Sequence, residues 1–239
     1  MGKKTANLYR KDSMKEKILW ITPSRKRDKK LRRTIDSWRE TTTGQSDFLV
    51  AIDNDDNSYA ATINEYTDVI WEIGEPINGP FLHLVNRIAL KYQNEYQYLG
   101  FMEDDVIFRT PGYENRFIEK LKELGEHGIV YADDNVKKHL VRGYIGLPVL
   151  NSNIVKKLGF YSPPCLKCLC GDLFWRDMAK HLGSYYRFDD IMIEHLHWKR
   201  DDKVVDETTE SVNSHLSADN AAYQFYVENN FLNDMAKLR

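Results

Sequence analysis

Short apolar runs alternate with helix-spaced stretches along the first 135 residues of this 239-residue chain. The apolar runs, which predict strands, are 17–22, 47–52, 67–72, 97–102 and 128–132. The stretches with apolar residues at helical spacing are 28–40, 81–92 and 113–124. Strands that alternate with helices of about a dozen residues build a mostly parallel sheet with helices on both faces. The pattern therefore predicts an α/β fold.

The second half of the chain has a less regular pattern. It predicts a strand at 143–150, a short helix to 158 capped by Asn151, a helix at 171–182 and an extended segment at 185–194. An aromatic stripe at Tyr223, Tyr226 and Phe231 predicts that the tail packs on the core as helix. Residues 1–16 are polar and predict a lead-in, so we expect one domain at 17–239, made of a first half at 17–135 and a second at 136–239.

Four of the predicted strands end in polar or charged clusters. These clusters are 24–25, 53–56, 103–105 and 133–134. The carboxyl ends of parallel strands lie at one edge of the sheet, and ligands of α/β proteins bind outside that edge. Acids and arginines at one edge indicate a site for a polyanion together with a metal ion.

Three consecutive acids, Glu103, Asp104 and Asp105, follow the apolar run at 97–102. Adjacent carboxylates repel each other, and a cation removes that cost. Hard oxygen ligands at a strand end suit Mg²⁺ or Mn²⁺. The alternative is a solvated acidic turn, which an isolated acidic triplet would favour.

Basic residues follow the first strand, with seven lysines and arginines in residues 25–33. Arg25 and Arg27 stand at the strand end, where paired N–H donors can clamp a nucleotide diphosphate. A solvated basic helix or contact with a DNA backbone are the alternatives. Asp53 ends the second strand, where a carboxylate can accept hydrogen bonds from a nucleobase or ribose.

Two histidines and one acid in the second half are further candidates. His195 and His197 share a face if their segment is extended, and a histidine near carboxylates can complete a metal shell. Packed or surface histidines are the alternative. Asp172 starts a predicted helix, either as a charge favoured by the helix dipole or as a general base for an acceptor hydroxyl.

The three cysteines, Cys165, Cys168 and Cys170, form one cluster. An odd number argues against a disulfide scaffold. Zinc with His181 as a fourth ligand is one hypothesis, but structural zinc sites usually pair two separated ligand couples, so thiols in a loop are the leading expectation.

Net charge and composition exclude few classes of function. The formal net charge of −2 gives no global attraction to nucleic acid, and no apolar run approaches the ~20 residues that span a bilayer. The N-terminus lacks the apolar core of a signal peptide, so we expect a cytoplasmic protein with no membrane insertion.

The order of these motifs resembles glycosyltransferases of the GT-A fold, close to glycosyltransferase family 2 and to its compact phage and bacterial members. The matching segments, spread over 18–226, are Pro23-Ser24-Arg25, Asp53, Gly100 to Asp105, Arg109 to Gly112, Gly128 to Tyr131, Pro163-Pro164, Asp172 to Trp175 and Glu194 to His197. The chain departs from the family pattern in its three consecutive acids and in Gly171, where many members carry Glu before the base.

The resemblance implies a GT-A, Rossmann-like central sheet with a C-terminal acceptor-side extension, in which 17–135 binds the nucleotide-sugar. It implies that Asp105 binds Mn²⁺ or Mg²⁺, that Glu103 or Asp104 assists at the metal or ribose, and that His197 or His195 supplies a late metal ligand. Asp172 would be the catalytic base. The residues expected at the donor are Pro23, Ser24, Arg25, Arg27, Asp53 and Asp104.

The leading functional hypothesis is a metal-dependent hexosyltransferase that moves a sugar from a nucleotide-sugar, foremost a UDP-sugar, to an acceptor hydroxyl with inversion. The acceptor would be a glycan, a protein or a hydroxymethylated base in phage-type DNA, in which case the enzyme would work in the host cytoplasm. The rivals are a non-enzymatic module that binds nucleotide or nucleic acid, and a metal-dependent phosphodiesterase or nuclease.

Overall fold

An eight-stranded sheet organises the part of the chain that the computed structural model describes, which is residues 14–76, 81–196 and 205–239. Its strands are β1 (Lys15–Pro23), β2 (Ser46–Asp53), β3 (Ile70–Gly74), β4 (Tyr96–Phe101), β5 (Val106–Phe108), β6 (Ile129–Asp133), β7 (Val149–Asn151) and β8 (Tyr185–His195). Their order across the sheet is β3-β2-β1-β4-β7-β6-β8-β5. Strands β7 and β5 run against the other six, so the predicted α/β fold with a mostly parallel sheet is confirmed.

Helices cover both faces of the sheet. They are α1 (Asp28–Thr41), α2 (Ala60–Glu65), α3 (Phe81–Tyr92), α4 (Tyr113–Leu124), α5 (Lys137–Arg142), α6 (Ser152–Leu158), α7 (Gly171–Leu182), α8 (Glu207–Ser214), α9 (Leu216–Asn229) and α10 (Phe231–Ala236). Alternate residues of β1 face opposite ways: Ile18 and Trp20 pack with α1 and α4, and Leu19 and Ile21 pack with α3, α6 and α7. Burial on both faces explains why this strand is continuously apolar from Ile18 to Ile21.

A tryptophan fixes the centre of the sheet. Trp20 is fully buried, and its indole Nε1 donates a 2.8 Å hydrogen bond to the Tyr113 hydroxyl. Gly100 pairs with Trp20 across β1 and β4, and a Cβ on Gly100 would lie 2.4 Å from the indole ring. A glycine is therefore required three residues before the acidic triplet.

The predicted elements up to residue 132 lie within a few residues of the observed ones, and the helices predicted at 113–124 and 171–182 match α4 and α7. The strand predicted at 143–150 was wrong for most of its length, because Gly143 adopts a left-handed φ of +64° that ends α5 and the chain then turns. Ile145 and Leu147 lie in this turn and are buried, so their spacing of two residues resembles the alternation of a strand. The two-turn helix α5 and the three-residue strand β5 were not predicted, since both are too short to show a period.

The C-terminal helices close the second face. Tyr223, Tyr226 and Phe231 are buried in the same apolar cluster as α7, which confirms that the aromatic stripe packs on the core. In the described ranges, no helix combines the length and the apolar character that crossing a bilayer would need.

Candidate active site at the carboxyl edge of the sheet

The carboxyl ends of β1, β2, β4 and β6 lie at one edge, because these strands run in the same direction. Side chains from the first three of these ends contact each other directly. Ser24 Oγ donates to Asp104 Oδ2 at 2.6 Å, and Arg25 Nη1 lies 2.6 Å from Asp53 Oδ2. The structure thus brings together most of the polar residues that the sequence places at strand ends.

Glu103, Asp105 and His195 form a cluster whose ligand atoms lie within 4.8 Å of one another. His195 Nε2 is 3.0 Å from Glu103 Oε2 and 3.2 Å from Asp105 Oδ1. Backbone pairing of β5 with β8 sets His195 opposite Val106, and Leu196 N donates to Asp105 O at 2.9 Å. Two segments about 90 residues apart therefore meet at this cluster through strand pairing.

These three side chains fit a divalent cation. Asp105 Oδ1 is buried, and among the described residues no hydrogen bond satisfies it apart from the contact with His195 Nε2 at 3.2 Å. Two carboxylates and an imidazole are ligands that Mn²⁺ accepts, and the carboxylates also suit Mg²⁺. The Glu103 side chain is 36% exposed, whereas those of Asp105 and His195 are 8% exposed, so the cluster opens to solvent on the Glu103 side.

The electrostatics of the cluster favour positive charge. Burial acts to lower the pKa of His195, but Glu103 and Asp105 outweigh it and hold that pKa well above its usual value. Burial acts to raise the pKa of Asp105, yet contact with His195 and the charges of Arg27 and Lys30 lower it. The raised pKa of His195 beside two carboxylates reflects a need for positive charge that a divalent cation would also meet.

Asp104 faces away from this cluster. Its Oδ2 accepts from Ser24, and its Oδ1 accepts from Arg27 Nη1 at 3.0 Å. Burial raises the pKa of Asp104 to about 6 against the opposing charge of Arg27, and the neighbouring Asp105 adds to the rise. Within the triplet, Glu103 and Asp105 face His195, and the residue between them orients Arg27.

Arg27 and Lys30 converge on Asp206, an acid that sequence reasoning missed. Asp206 accepts from Arg27 Nε at 3.0 Å, from Arg27 Nη2 at 2.7 Å and from Lys30 Nζ at 2.9 Å. It also caps α8, accepting from Thr209 N at 2.8 Å. The signal available in the sequence was this cap, because an Asp followed by acidic residues such as Glu207 and Glu210 predicts a helix start. A carboxylate thus lies between two cations that border Asp105.

The remaining donor-side candidates lie further out. Arg25 pairs with Asp53 and also with Asp55, at 2.8 and 3.0 Å, and its side chain is half-exposed. Pro23 is the last residue of β1 and positions Ser24. Lys26, between the two arginines, has a left-handed φ of +55°.

Positive φ recurs at non-glycine residues around this edge. Asn135, directly after the end of β6, has φ +59°, and Cys170, directly before α7, has φ +67°. Such conformations cost energy and persist where the surroundings hold them, often at functional sites. Each flanks a polar residue discussed here, namely Arg25 or Arg27, Asp134, and Asp172.

Asp172 lies in the first turn of α7, where its Oδ1 accepts from Leu173 N at 2.9 Å. Its Oδ2 lies 3.9 Å from His139 Nε2, and His139 Nδ1 makes a short hydrogen bond with Asp134 Oδ2. Neither His139 nor Asp134 was singled out as a site residue by its own pattern. Asp134 does belong to one of the predicted charged strand ends.

The cysteine cluster precedes α7. Asp219 of α9 is buried and accepts from the backbone N–H groups of Lys167, Cys168 and Leu169 at 3.0, 2.8 and 2.7 Å. Burial raises the pKa of the Cys168 thiol to about 11, which disfavours the thiolate that zinc needs.

Two earlier hypotheses concern histidines. His181 contacts Phe231 and Arg239, and among the described residues no metal-binding group forms from it and the cysteines, so the zinc hypothesis is not supported. His197, expected as a late metal ligand, lies outside the described residues.

Solved structures share this fold at low sequence identity. No protein-family model matches the chain, and no curated protein matches its sequence. S. aureus TarS 1–349 superposes with a TM-score of 0.56 at 12% identity, covering 75% of this chain and 60% of that one. It is also known in complex with UDP and with UDP-GlcNAc.

A second similar structure is the mannosyltransferase PcManGT from Pyrobaculum calidifontis in complex with GDP-Man and Mn²⁺. It has a TM-score of 0.56 at 11% identity and covers 93% of this chain and 78% of that one. A further TarS structure has a TM-score of 0.58 at 13% identity, and this chain spans 43% of its length. The chain therefore has the GT-A-like fold that the sequence resemblance implied.

Proposed function

We propose that this protein is a metal-dependent glycosyltransferase that uses a nucleotide-sugar donor. The observation that carries the proposal is the Glu103, Asp105 and His195 cluster, which lies beside Arg27 and Lys30 at the carboxyl edge of a GT-A-like sheet. A cation held by two carboxylates and an imidazole, with an arginine and a lysine next to it, suits a diphosphate. His197 is a further proposed ligand.

The donor would lie along the ends of β1, β2 and β4. Asp53 would accept hydrogen bonds from the nucleobase or ribose. Pro23, Ser24 and Asp104 would form the protein surface beneath the donor. Arg25 and Arg27 would face the phosphates. The UDP, UDP-GlcNAc, GDP-Man and Mn²⁺ bound by the similar structures support a nucleotide-sugar, foremost a UDP-sugar, with Mn²⁺ or Mg²⁺.

Asp206 would compete with the donor diphosphate for Arg27 and Lys30. Its carboxylate binds the same groups of Arg27 and Lys30 that would otherwise meet phosphate oxygens. Donor binding would replace one anion by another, so the two cations remain paired throughout.

The chemistry would be a direct displacement. A bound divalent cation would neutralise the charge that develops on the departing diphosphate. Arg27 and Lys30 add fixed positive charge beside it. Asp172 would take the proton of the acceptor hydroxyl as that oxygen bonds to the anomeric carbon and the bond to the donor phosphate breaks, which inverts the sugar.

The acceptor class is a glycan, a protein or a hydroxymethylated DNA base. At least five of the seven basic residues at 25–33 pair with acids in the described part of the chain, which leaves this segment little free charge for a DNA backbone. These are Arg25, Lys26, Arg27, Lys30 and Arg32. An acceptor screen should therefore begin with glycans and proteins and include hydroxymethylated DNA.

A thermal-shift panel tests the proposal. UDP, UDP-GlcNAc, UDP-glucose and GDP-mannose are each added with Mn²⁺ or with EDTA. A ligand at a hundred times its Kd stabilises the folded state by about 2.7 kcal/mol, so a binding nucleotide raises Tm clearly. We expect a rise that requires Mn²⁺, followed by Mn²⁺-dependent release of nucleoside diphosphate from one donor.

Two outcomes would contradict the proposal. One is that no nucleotide in the panel binds with Mn²⁺ present. The other is that the protein releases phosphate or cuts DNA without any sugar donor, which would favour a phosphatase or nuclease.

A further inference from the structure

A histidine lies between two carboxylates near the N-terminus of α7. His139 Nδ1 is hydrogen-bonded to Asp134 Oδ2, and His139 Nε2 lies 3.9 Å from Asp172 Oδ2. The side chains of Asp134, His139 and Asp172 are 10%, 19% and 27% exposed, so exposure increases along this line. The buried end of the line is a carboxylate, and the open end is the proposed base.

The Asp134–His139 pair is held from several directions. Asp134 Oδ1 accepts from Val136 N at 3.0 Å, and Asp134 O accepts from His195 N at 3.0 Å. A Cβ on Gly146 would lie 2.7 Å from Asp134 Oδ2 and 2.9 Å from His139 Nδ1, so a glycine is needed for this pair to form. The imidazole therefore has a defined orientation relative to the sheet.

A small cavity borders the pair. Its volume is about 30 Å³, enough for a water molecule. Its polar lining comes from Asp134, His139, Tyr144 and Arg187. The imidazole is thus neither packed in apolar surroundings nor freely solvated.

A purely structural role for His139 would need only its bond with Asp134, which joins α5 to the end of β6. That role does not require the second ring nitrogen to face a carboxylate of another helix. Hydrogen bonds around a general base are often long in unliganded proteins and shorten in the substrate complex. The separation of 3.9 Å between Nε2 and Oδ2 is of this kind.

We infer that His139, held by Asp134, is a positioning residue that orients the Asp172 carboxylate toward the acceptor. The inference rests on the proposed transferase function and assigns a role to two residues outside the metal cluster. His139 itself need not touch the substrate.

Two isosteric substitutions give opposite expectations. His139→Asn places an amide nitrogen near the Nδ1 position and retains the bond with Asp134, whereas His139→Gln places one near the Nε2 position, facing Asp172. The readout is Mn²⁺-dependent release of nucleoside diphosphate from the best donor among UDP-GlcNAc, UDP-glucose and GDP-mannose, with water as acceptor.

We expect His139→Asn to lower kcat about 10- to 100-fold with the donor KM unchanged, since a base misplaced by about 1 Å costs of this order. His139→Gln should retain most of the rate. The reverse order would overturn the inference, because it would show that only the bond with Asp134 matters. Tm of each variant confirms that it is folded.

A double-mutant cycle tests whether His139 acts through Asp172. In the Asp172→Asn background, His139→Asn should change the rate less than about twofold, because residues that act as a unit are not additive. A full multiplicative loss would overturn the inference.

NMR spectroscopy tests the contact between His139 and Asp172 without measuring turnover. The imidazole ¹⁵N resonances of His139, identified by their loss in His139→Asn, should shift in Asp172→Asn. They should not shift in Glu119→Gln, which removes an exposed acid of α4. Unchanged His139 resonances in Asp172→Asn would refute the contact. By contrast, failure of every donor to bind with Mn²⁺ would refute the proposed function, so the two failures are distinguishable.

Discussion

The proposed metal side of this site, made of Glu103, Asp105 and His195, and its proposed base side, at Asp172, are built in different ways. On the metal side, Glu103 and Asp105 directly follow β4, and the pairing of β5 with β8 brings His195 to them. On the base side, Asp172 follows a loop that is held by Asp219, nearly 50 residues further along the chain. The metal side thus depends on the sheet, whereas the base side depends on the docking of the C-terminal helices.

The two sides also differ in how deeply their carboxylates are buried. The side chains of Asp104 and Asp105 are 5% and 8% exposed and are surrounded by Arg27, Lys30 and His195. The Asp172 side chain is 27% exposed. Desolvated charges that are each paired fix the metal side rigidly, and the open base side leaves room for an acceptor. The two sides should therefore fail independently when altered.

The largest effect is expected from Asp105→Ala. It removes a buried ligand of the proposed metal, so Mn²⁺-dependent donor turnover should fall by more than the roughly 10²–10³-fold that loss of one charge-stabilising group costs. Mn²⁺ titration by calorimetry and UDP release measure this. Asp47→Asn is the control, because Asp47 begins β2 at the opposite edge and pairs with Lys17. Undiminished Mn²⁺ binding by Asp105→Ala would place the metal elsewhere.

Asp172→Asn should separate the two sides. Turnover should fall about 10²-fold or more, as for loss of a general base, and the affinity for UDP with Mn²⁺ should be unchanged. Asp177→Asn on the same helix is the matched control, since it keeps an acceptor oxygen for the Tyr223 hydroxyl. Normal turnover by Asp172→Asn would show that another group is the base.

Asp219→Ala should destabilise the loop that precedes Asp172. Three backbone N–H groups lose their acceptor, and the free energy of unfolding should fall by about 3 kcal/mol, given roughly 1–3 kcal/mol for each buried donor left unsatisfied. Urea unfolding measures the loss, with Glu228→Gln on the exposed face of α9 as control. UDP binding by the folded fraction should persist; its loss would show that the two sides are coupled.

The smallest effect is expected from Asp206→Asn. It removes the carboxylate that competes for Arg27 and Lys30, while asparagine still caps α8. UDP affinity should rise about fivefold, since partly exposed ion pairs are worth at most about 1 kcal/mol. Glu207→Gln is the control, because Glu207 pairs with the exposed Lys26. Weaker UDP binding would mean that Asp206 orients Arg27 for the donor.

The metal side could be predicted from sequence in large part. Apolar runs that end in charged residues, such as 97–102 before Glu103, indicate both the strand and the edge at which it ends. The base side could not be predicted to the same extent. His139 lies in a six-residue helix with no period to detect, and Asp206 lies 179 residues from its partner Arg27. Such contacts leave no local pattern.

By itself, the sequence determined the alternation of strands and helices, the polar edge and the residue types available for a cation and a diphosphate. Only the tertiary structure decided which acids act together. The triplet lies in a turn after β4 rather than in a strand, and the packing around it directs Asp104 toward Ser24 and Arg27 while Glu103 and Asp105 face His195. The tertiary structure also placed His139 between Asp134 and Asp172, because that position arises from packing between segments far apart in the chain.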